Sequence, residues 1–132
     1  MKAPLRQTLF DEARQRIELA QRLLPWEFRY PHALAQIAQE RGQFEPALYH
    51  AGQAVALHPH WPPALLRQAQ AHMNRAAALG ANPASAPAQA EELAAAEDAA
   101  GAALDICAYL GEAEEVYARA AVLLAHGAAD PA

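Results

Sequence analysis

The chain has one cysteine, Cys107, so no intrachain disulfide can form. Its neighbours Leu104, Ile106 and Ala108 make it read as a buried, inert thiol rather than a nucleophile. Ser85 is the only serine and Thr8 the only threonine, which leaves almost no hydroxyl nucleophile or phosphorylation site. Lys2 is the only lysine. Gly-rich phosphate loops, G-x-S-x-G elbows and Cys/His nucleophile patterns are absent, so no catalytic residue is assigned and an enzyme is not expected. No apolar run approaches the length of a membrane span. Met1-Lys2-Ala3-Pro4 leads into a polar pattern without an apolar signal core, and the expected location is the cytoplasm. β-branched residues are scarce and no segment alternates with a period of two, which excludes exposed strands.

What is present is alanine, the best helix former and a weak hydrophobe. The hydrophobic fraction of 54% therefore points to helices packed closely through small side chains. At 132 residues the chain is expected to form a single helical domain, 1–132. The net charge of −5 is uneven. Residues 1–75 carry nine basic and six acidic residues, a net of +3, and residues 76–132 carry Arg119 against nine acids, a net of −8. Such a dipole fits either two differently solvated faces or a module that docks a charged partner or stacks head to tail. A pI of about 5.6 without a dense basic stripe argues against nucleic acid.

Residues 4–24 read as an amphipathic helix with Leu5, Leu9, Ala13, Ile17, Ala20 and Leu24 on one face and an Arg14/Glu18/Arg22 ladder on another. Pro25, Trp26, Phe28, Tyr30 and Pro31 follow as an aromatic hinge. It serves either as packing between the first two helices or as a partner hot spot at Trp26, Phe28 and Tyr30. A second helix is expected over about 31–41 and a third over about 44–57, with Pro46 in its first turn. Gly52 lies inside the third helix, and a close neighbour would explain it. The fourth helix runs from Trp61-Pro62-Pro63 to about Leu79, and 80–86 is a loop. Ser85 is a candidate N-cap with Pro87 in the first turn of a long helix over about 86–110. A pair of shorter helices broken near Asp98–Gly101 is the alternative. Gly111 is expected to end it, with a last helix over about 112–126.

One run carries more than a helix boundary. In Gly42-Gln43-Phe44-Glu45-Pro46-Ala47-Leu48, Gly42 can close one helix in the left-handed region while Phe44 and Ala47 open the next. Ala54 and Pro59 complete it. Together with Leu34 and Ala35, these residues make 28–61 resemble a tetratricopeptide repeat, a helix–turn–helix unit that stacks into solenoids. Gly111–Ala120 echoes Gly42–Ala51 at an offset of 69 residues, near twice the repeat length, so the likeness is partial over 98–127. Over 62–110 it thins to a lengthened, degenerate hairpin, with the C-terminal helix over 111–127. The resemblance implies an all-α fold, a short α-solenoid of antiparallel helical hairpins with about six helices. A plain six-helix bundle is the rival.

The resemblance also implies a function: a non-enzymatic adaptor or small chaperone binding a peptide or helix of a protein partner in a groove lined by the first helices of successive repeats. Small bacterial secretion-system chaperones are built from a few such repeats and are similarly acidic. Carried over position by position, the groove residues are Arg29, His32, Gln36, Gln39 and Glu40, then Leu66, Gln70, Met73 and Asn74, with Tyr109 in a third unit. The Lys/Asn/Arg carboxylate clamp of some relatives is not expected, because the only lysine is Lys2. Two alternatives stay open. A self-associating structural protein would pair the basic N-terminal part with the acidic C-terminal part, or apolar faces as a homo-oligomer. A small-molecule or metal-binding helical protein would use the six histidines, of which His58 and His60 flank Pro59. No histidine pair has the i,i+4 spacing of a helical site, so neither cofactor nor metal is assigned.

Overall fold

Alanine content decides how near the helices can approach. The computed structural model describes residues 2–80, 82–107 and 111–129. Those residues form six α-helices: α1 (Lys2–Leu23), α2 (Arg29–Glu40), α3 (Phe44–Leu57), α4 (Pro62–Leu79), α5 (Ala86–Ile106) and α6 (Gly111–Ala129). A three-residue 3₁₀ turn, Pro83–Ser85, precedes α5. Strands are absent among the described residues. Each helix packs against the next as antiparallel pairs, most extensively α4 with α5. In addition α2 touches α4, and α4 touches α6, so these three line one face with α3 and α5 behind them. Of the 19 buried residues described, 15 are alanines, beside Pro31, Leu34, Leu65 and Leu93. Ala69, Ala99 and Ala100 meet between α4 and α5, with Val116 of α6 packed against them.

Punctuation by glycine and proline works as the sequence implies at the α2–α3 turn. Gly42 has φ 70°, the Gln43 amide donates to the Ala38 carbonyl at 2.9 Å and the Gly42 amide to Gln39 at 3.1 Å. That pair of bonds is a Schellman closure, which satisfies carbonyls that the helix end leaves open. Pro62 and Pro63 pre-set the first turn of α4, where a missing N–H costs nothing. Ahead of α5, the Asn82 side chain accepts from the Ala84 amide, while Ser85 holds the N-cap position without a side-chain cap bond.

Four expectations change. The helix over 86–106 is one helix, but it stops at Ile106, and Gly111 opens α6 rather than ending α5. Cys107 sits at the end of α5, partly exposed rather than buried. A Cβ on Gly52 would meet nothing within 4 Å, so no close neighbour explains that glycine. The close approach is at Gly101, where a Cβ would stand 3.4 Å from the Tyr117 ring of α6. Of the expected apolar face of the first helix, Ala13, Ile17 and Ala20 are partly covered along with Phe10, but Leu5, Leu9 and Leu24 are exposed.

The orientation of α1 is set by polar contacts as much as by apolar ones. Arg41, at the end of α2 and 14% exposed, donates to Asp11 Oδ1 at 3.0 Å and to Gln7 Oε1 at 2.8 Å. Its guanidinium carbon lies 5.9 Å from the centre of the Phe10 ring. Arg14 pairs within the helix with Asp11 and Glu18, each at 3.7 Å. Arg41→Ala should therefore free α1 locally, at a cost of about 1–2 kcal/mol for the charge-assisted bonds and stacking. Hydrogen exchange checks this: α1 amides lose protection while α4 and α5 keep theirs.

Candidate functional site

Gln39 of α2, Gln70 of α4 and Glu112 of α6 occupy the shared face of their helices and are joined by hydrogen bonds. Gln39 Nε2 donates to Gln70 Oε1 at 3.4 Å, and Gln70 Nε2 donates to Glu112 Oε2 at 3.4 Å. Arg67, one turn before Gln70, supplies Nη1 to Gln39 Oε1 at 3.1 Å and to Gln70 Oε1 at 3.4 Å. The result is a polar relay crossing three helices. It floors a groove of about 330 Å³ walled by Met73 and Asn74 of α4 and by Glu115, Val116 and Arg119 of α6. That volume lies at the small end of ligand-binding clefts. Below it, a pocket of about 170 Å³ shares Met73, Asn74 and Arg119 and continues along Ala76, Ala77, Leu93 and Leu123.

Four of the residues expected from the sequence, Gln39, Gln70, Met73 and Asn74, are thus brought together. Arg29 is exposed and pairs with Glu27 at 2.8 Å, an ion pair that holds the Glu27 carboxyl below its usual range, chiefly through the side-chain hydrogen bond. Gln36 and Glu40 are exposed on α2 outside the groove lining. Leu66 packs instead against the Leu65, Ala103 and Ala113 cluster. Tyr109 lies outside the described residues. Glu112, Glu115, Val116 and Arg119 complete the site. Sequence matching overlooked them because Gly111–Ala120 echoes the start of a second helix, whereas α6 stands on the side of α2 and α4.

The aromatic hinge divides. Trp26 is 67% exposed. Phe28 is drawn into an edge-to-face cluster, 4.6 Å from His58 and 4.7 Å from Trp61, with His32 also 4.7 Å from Trp61. Tyr30 is partly buried in the first turn of α2. The cluster joins the start of α2 to the end of α3 and the start of α4, beside the groove. His32 Nδ1 is fully enclosed and bonded to nothing among the described residues, as is Arg67 Nε. Burial first, and the Arg67 charge second, lower the His32 pKa below its usual 6.5. The folded state therefore holds this ring's proton less tightly than the unfolded chain, whose histidine titrates near pH 6.5. The stabilising share from neutral His32 is present above that pH and is lost as pH falls below it. The difference in Tm between the parent and His32→Gln should shrink as pH is lowered from 7.5 to 5.5. Thermal melts at several pH values measure it.

On the opposite side, His72 Nδ1 lies 2.7 Å from Glu92 Oε2, and Arg75 bridges Glu92 at 3.4 Å and Glu45 at 3.2 Å. His72 is thus a packed, partnered histidine. No cluster of three or more His, Cys, Asp or Glu able to hold a metal occurs among the described residues. No described helix is long and apolar enough to cross a membrane.

No protein-family model matches the chain, and no curated protein matches its sequence. Solved structures do match its fold. The type III secretion translocator chaperone SycD of Yersinia enterocolitica superposes over 93% of this chain and 74% of its own, with a TM-score of 0.63 and 17% identity. SycD in complex with a peptide of the translocator YopD matches equally, over 93% of this chain and 82% of its own, again at 0.63 and 17%. PcrH in complex with the chaperone binding region of PopD matches at a TM-score of 0.60 and 21% identity, over 95% of this chain and 83% of its own. The chain is similar in fold, over nearly its whole length, to tetratricopeptide-type secretion chaperones.

Proposed function

We propose that this chain is a non-enzymatic helical-repeat chaperone or adaptor that holds a segment of a protein partner in the groove between α2, α4 and α6. The observation that carries the reading is the Gln39–Gln70–Glu112 relay, braced by Arg67, along the floor of that groove. Amide side chains offer donors and acceptors at fixed positions, and Met73 and Val116 add apolar contact. SycD and PcrH, which share the fold, are chaperones crystallised with translocator segments. By that analogy the partner is an exported protein held before secretion, the setting is the bacterial cytoplasm, and 1–132 acts as one helical domain.

The test is capture from lysate of the source organism with the native protein and with a Gln39→Ala/Gln70→Ala/Met73→Ala variant of equal Tm. A partner retained by the native protein and lost by the variant supports the groove. A partner retained equally by both contradicts it and moves attention to the Trp26–Tyr30 hinge.

A second reading, self-association, is favoured by one observation. Leu5, Leu9, Leu19 and Leu23 fall on one stripe of α1 at helical spacing, and all are more than half exposed. Mass in solution at low and high salt tests it. A monomer at both salt concentrations contradicts self-association, and an assembly that survives salt favours the leucine stripe over charge pairing.

A further inference from the structure

Resting on the groove reading, we infer the chemistry of the segment it takes: an extended strand with one large apolar side chain, spaced three to four residues from a basic one. The groove and the pocket below it are continuous through Met73, Asn74 and Arg119, yet their linings differ. The upper part carries the exposed carboxylates of Glu112 and Glu115, on a half of the chain that is strongly acidic. The lower part is walled by Leu93 and Leu123, and its roughly 170 Å³ compares with the engineered cavity of about 150 Å³ that admits benzene. One apolar side chain of leucine or phenylalanine size fits that space, and a basic side chain fits the acidic rim.

The occupant is extended because of what lies between. Asn74 and Arg119 line both the groove and the pocket, and their side chains make no hydrogen bond or ion pair to another described residue. A helix satisfies its own backbone and has no use for a free amide and guanidinium. An extended backbone has open N–H and C=O groups that amides and a guanidinium can meet. Spacing follows from α6. Glu115 and Leu123 are eight residues apart, a rise of about 12 Å along a helix. An extended chain covers that distance in about three to four residues.

The probe is a set of fluorescein-labelled ten-residue peptides of Ser and Ala carrying one Leu and one Arg, in both orders, at separations from one to eight. Binding is read by anisotropy. Peptides with separations of three or four should bind best. Leu→Ala or Arg→Glu in the best peptide should weaken binding by at least about ten-fold, the scale of losing one buried anchor or reversing one charge. The Glu112→Lys/Glu115→Lys protein, checked for unchanged Tm, should reverse the preference and favour the Glu peptide. Leu123→Ser should erase the discrimination between Leu and Ala. Binding without charge or spacing preference overturns this inference and leaves the groove reading standing. A best separation near eight overturns the extended occupant in favour of a helix. Failure of every peptide to bind overturns both. If the native protein is a dimer that the double charge reversal dissociates, the occupant is a second copy and the inference is overturned.

Discussion

Trp61→Ala should lower stability by about 2–4 kcal/mol, toward the range for deleting a large aromatic from a packed site. Trp61 is the N-cap residue of α4, and its ring meets Phe28 and His32 edge-to-face, each at 4.7 Å. His58, which caps α3, stands 6.5 Å from it and 4.6 Å from Phe28. One ring therefore ties the start of α2, the end of α3 and the start of α4. Removing it opens a space at the junction of three helices and exposes Phe28. Trp61→Phe keeps an aromatic edge there and should cost less than half as much. Denaturant unfolding with unchanged m-value checks both. A loss below about 0.5 kcal/mol for Trp61→Ala, the usual limit for a surface site, would show that the ring only decorates the surface.

Ala69→Leu should destabilise by about 1–3 kcal/mol, because it adds a branched side chain where no volume is free. Ala69 is fully buried and faces Ala99 and Ala100 of α5, with Val116 of α6 beside them. Those alanines set the separation of α4 and α5, the most extensive contact in the fold. The helices must move apart, and the groove wall formed by Met73 and Asn74 moves with α4. Ala94→Leu, on an exposed position of α5, makes the same chemical change and should stay within about 0.5 kcal/mol. For a chain of this size, Tm should fall on the order of 4–12 °C in the first variant and hardly in the second. Equal effects in both would mean that helix propensity, not packing, dominates.

These two sites also show what the sequence could and could not reveal. The α2–α3 turn was legible because Gly42, Pro46 and Pro59 each carry a backbone restriction that operates locally, and α3 begins and ends at Phe44 and Leu57 as the pattern implies. Alanine content announced close helices. The aromatic cluster was half legible. Phe28 stood in the hinge, but Trp61 lies 33 positions later, and only folding brings the two rings to 4.7 Å.

The inward face of α1 was misjudged because all four of its leucines, Leu5, Leu9, Leu19 and Leu23, stand on the exposed stripe, and apolar spacing alone does not single out Phe10, Ala13, Ile17 and Ala20 as the covered side. Arg41 chooses, by bonding Asp11 and Gln7 from α2. Gly52 and Gly101 are alike in sequence, and only the structure reveals open space at one and the Tyr117 ring at the other. Half of the groove came from the repeat pattern, as Gln39, Gln70, Met73 and Asn74. The α6 half did not, because residue-type matching aligned Gly111 with Gly42 and placed α6 as a second helix. The continuous α5 ending at Ile106 puts α6 on the groove side instead.

The central claim is that a partner polypeptide lies between α2, α4 and α6. The most direct measurement is site-specific photocrosslinking in cells of the source organism, with a photoreactive phenylalanine analogue at Met73 in the groove or at Tyr49, exposed on α3. The account predicts a crosslinked partner from position 73, mapped by mass spectrometry to one short segment, and none from position 49. Crosslinks from position 49 alone, or from position 73 only to another copy of this chain, would contradict it.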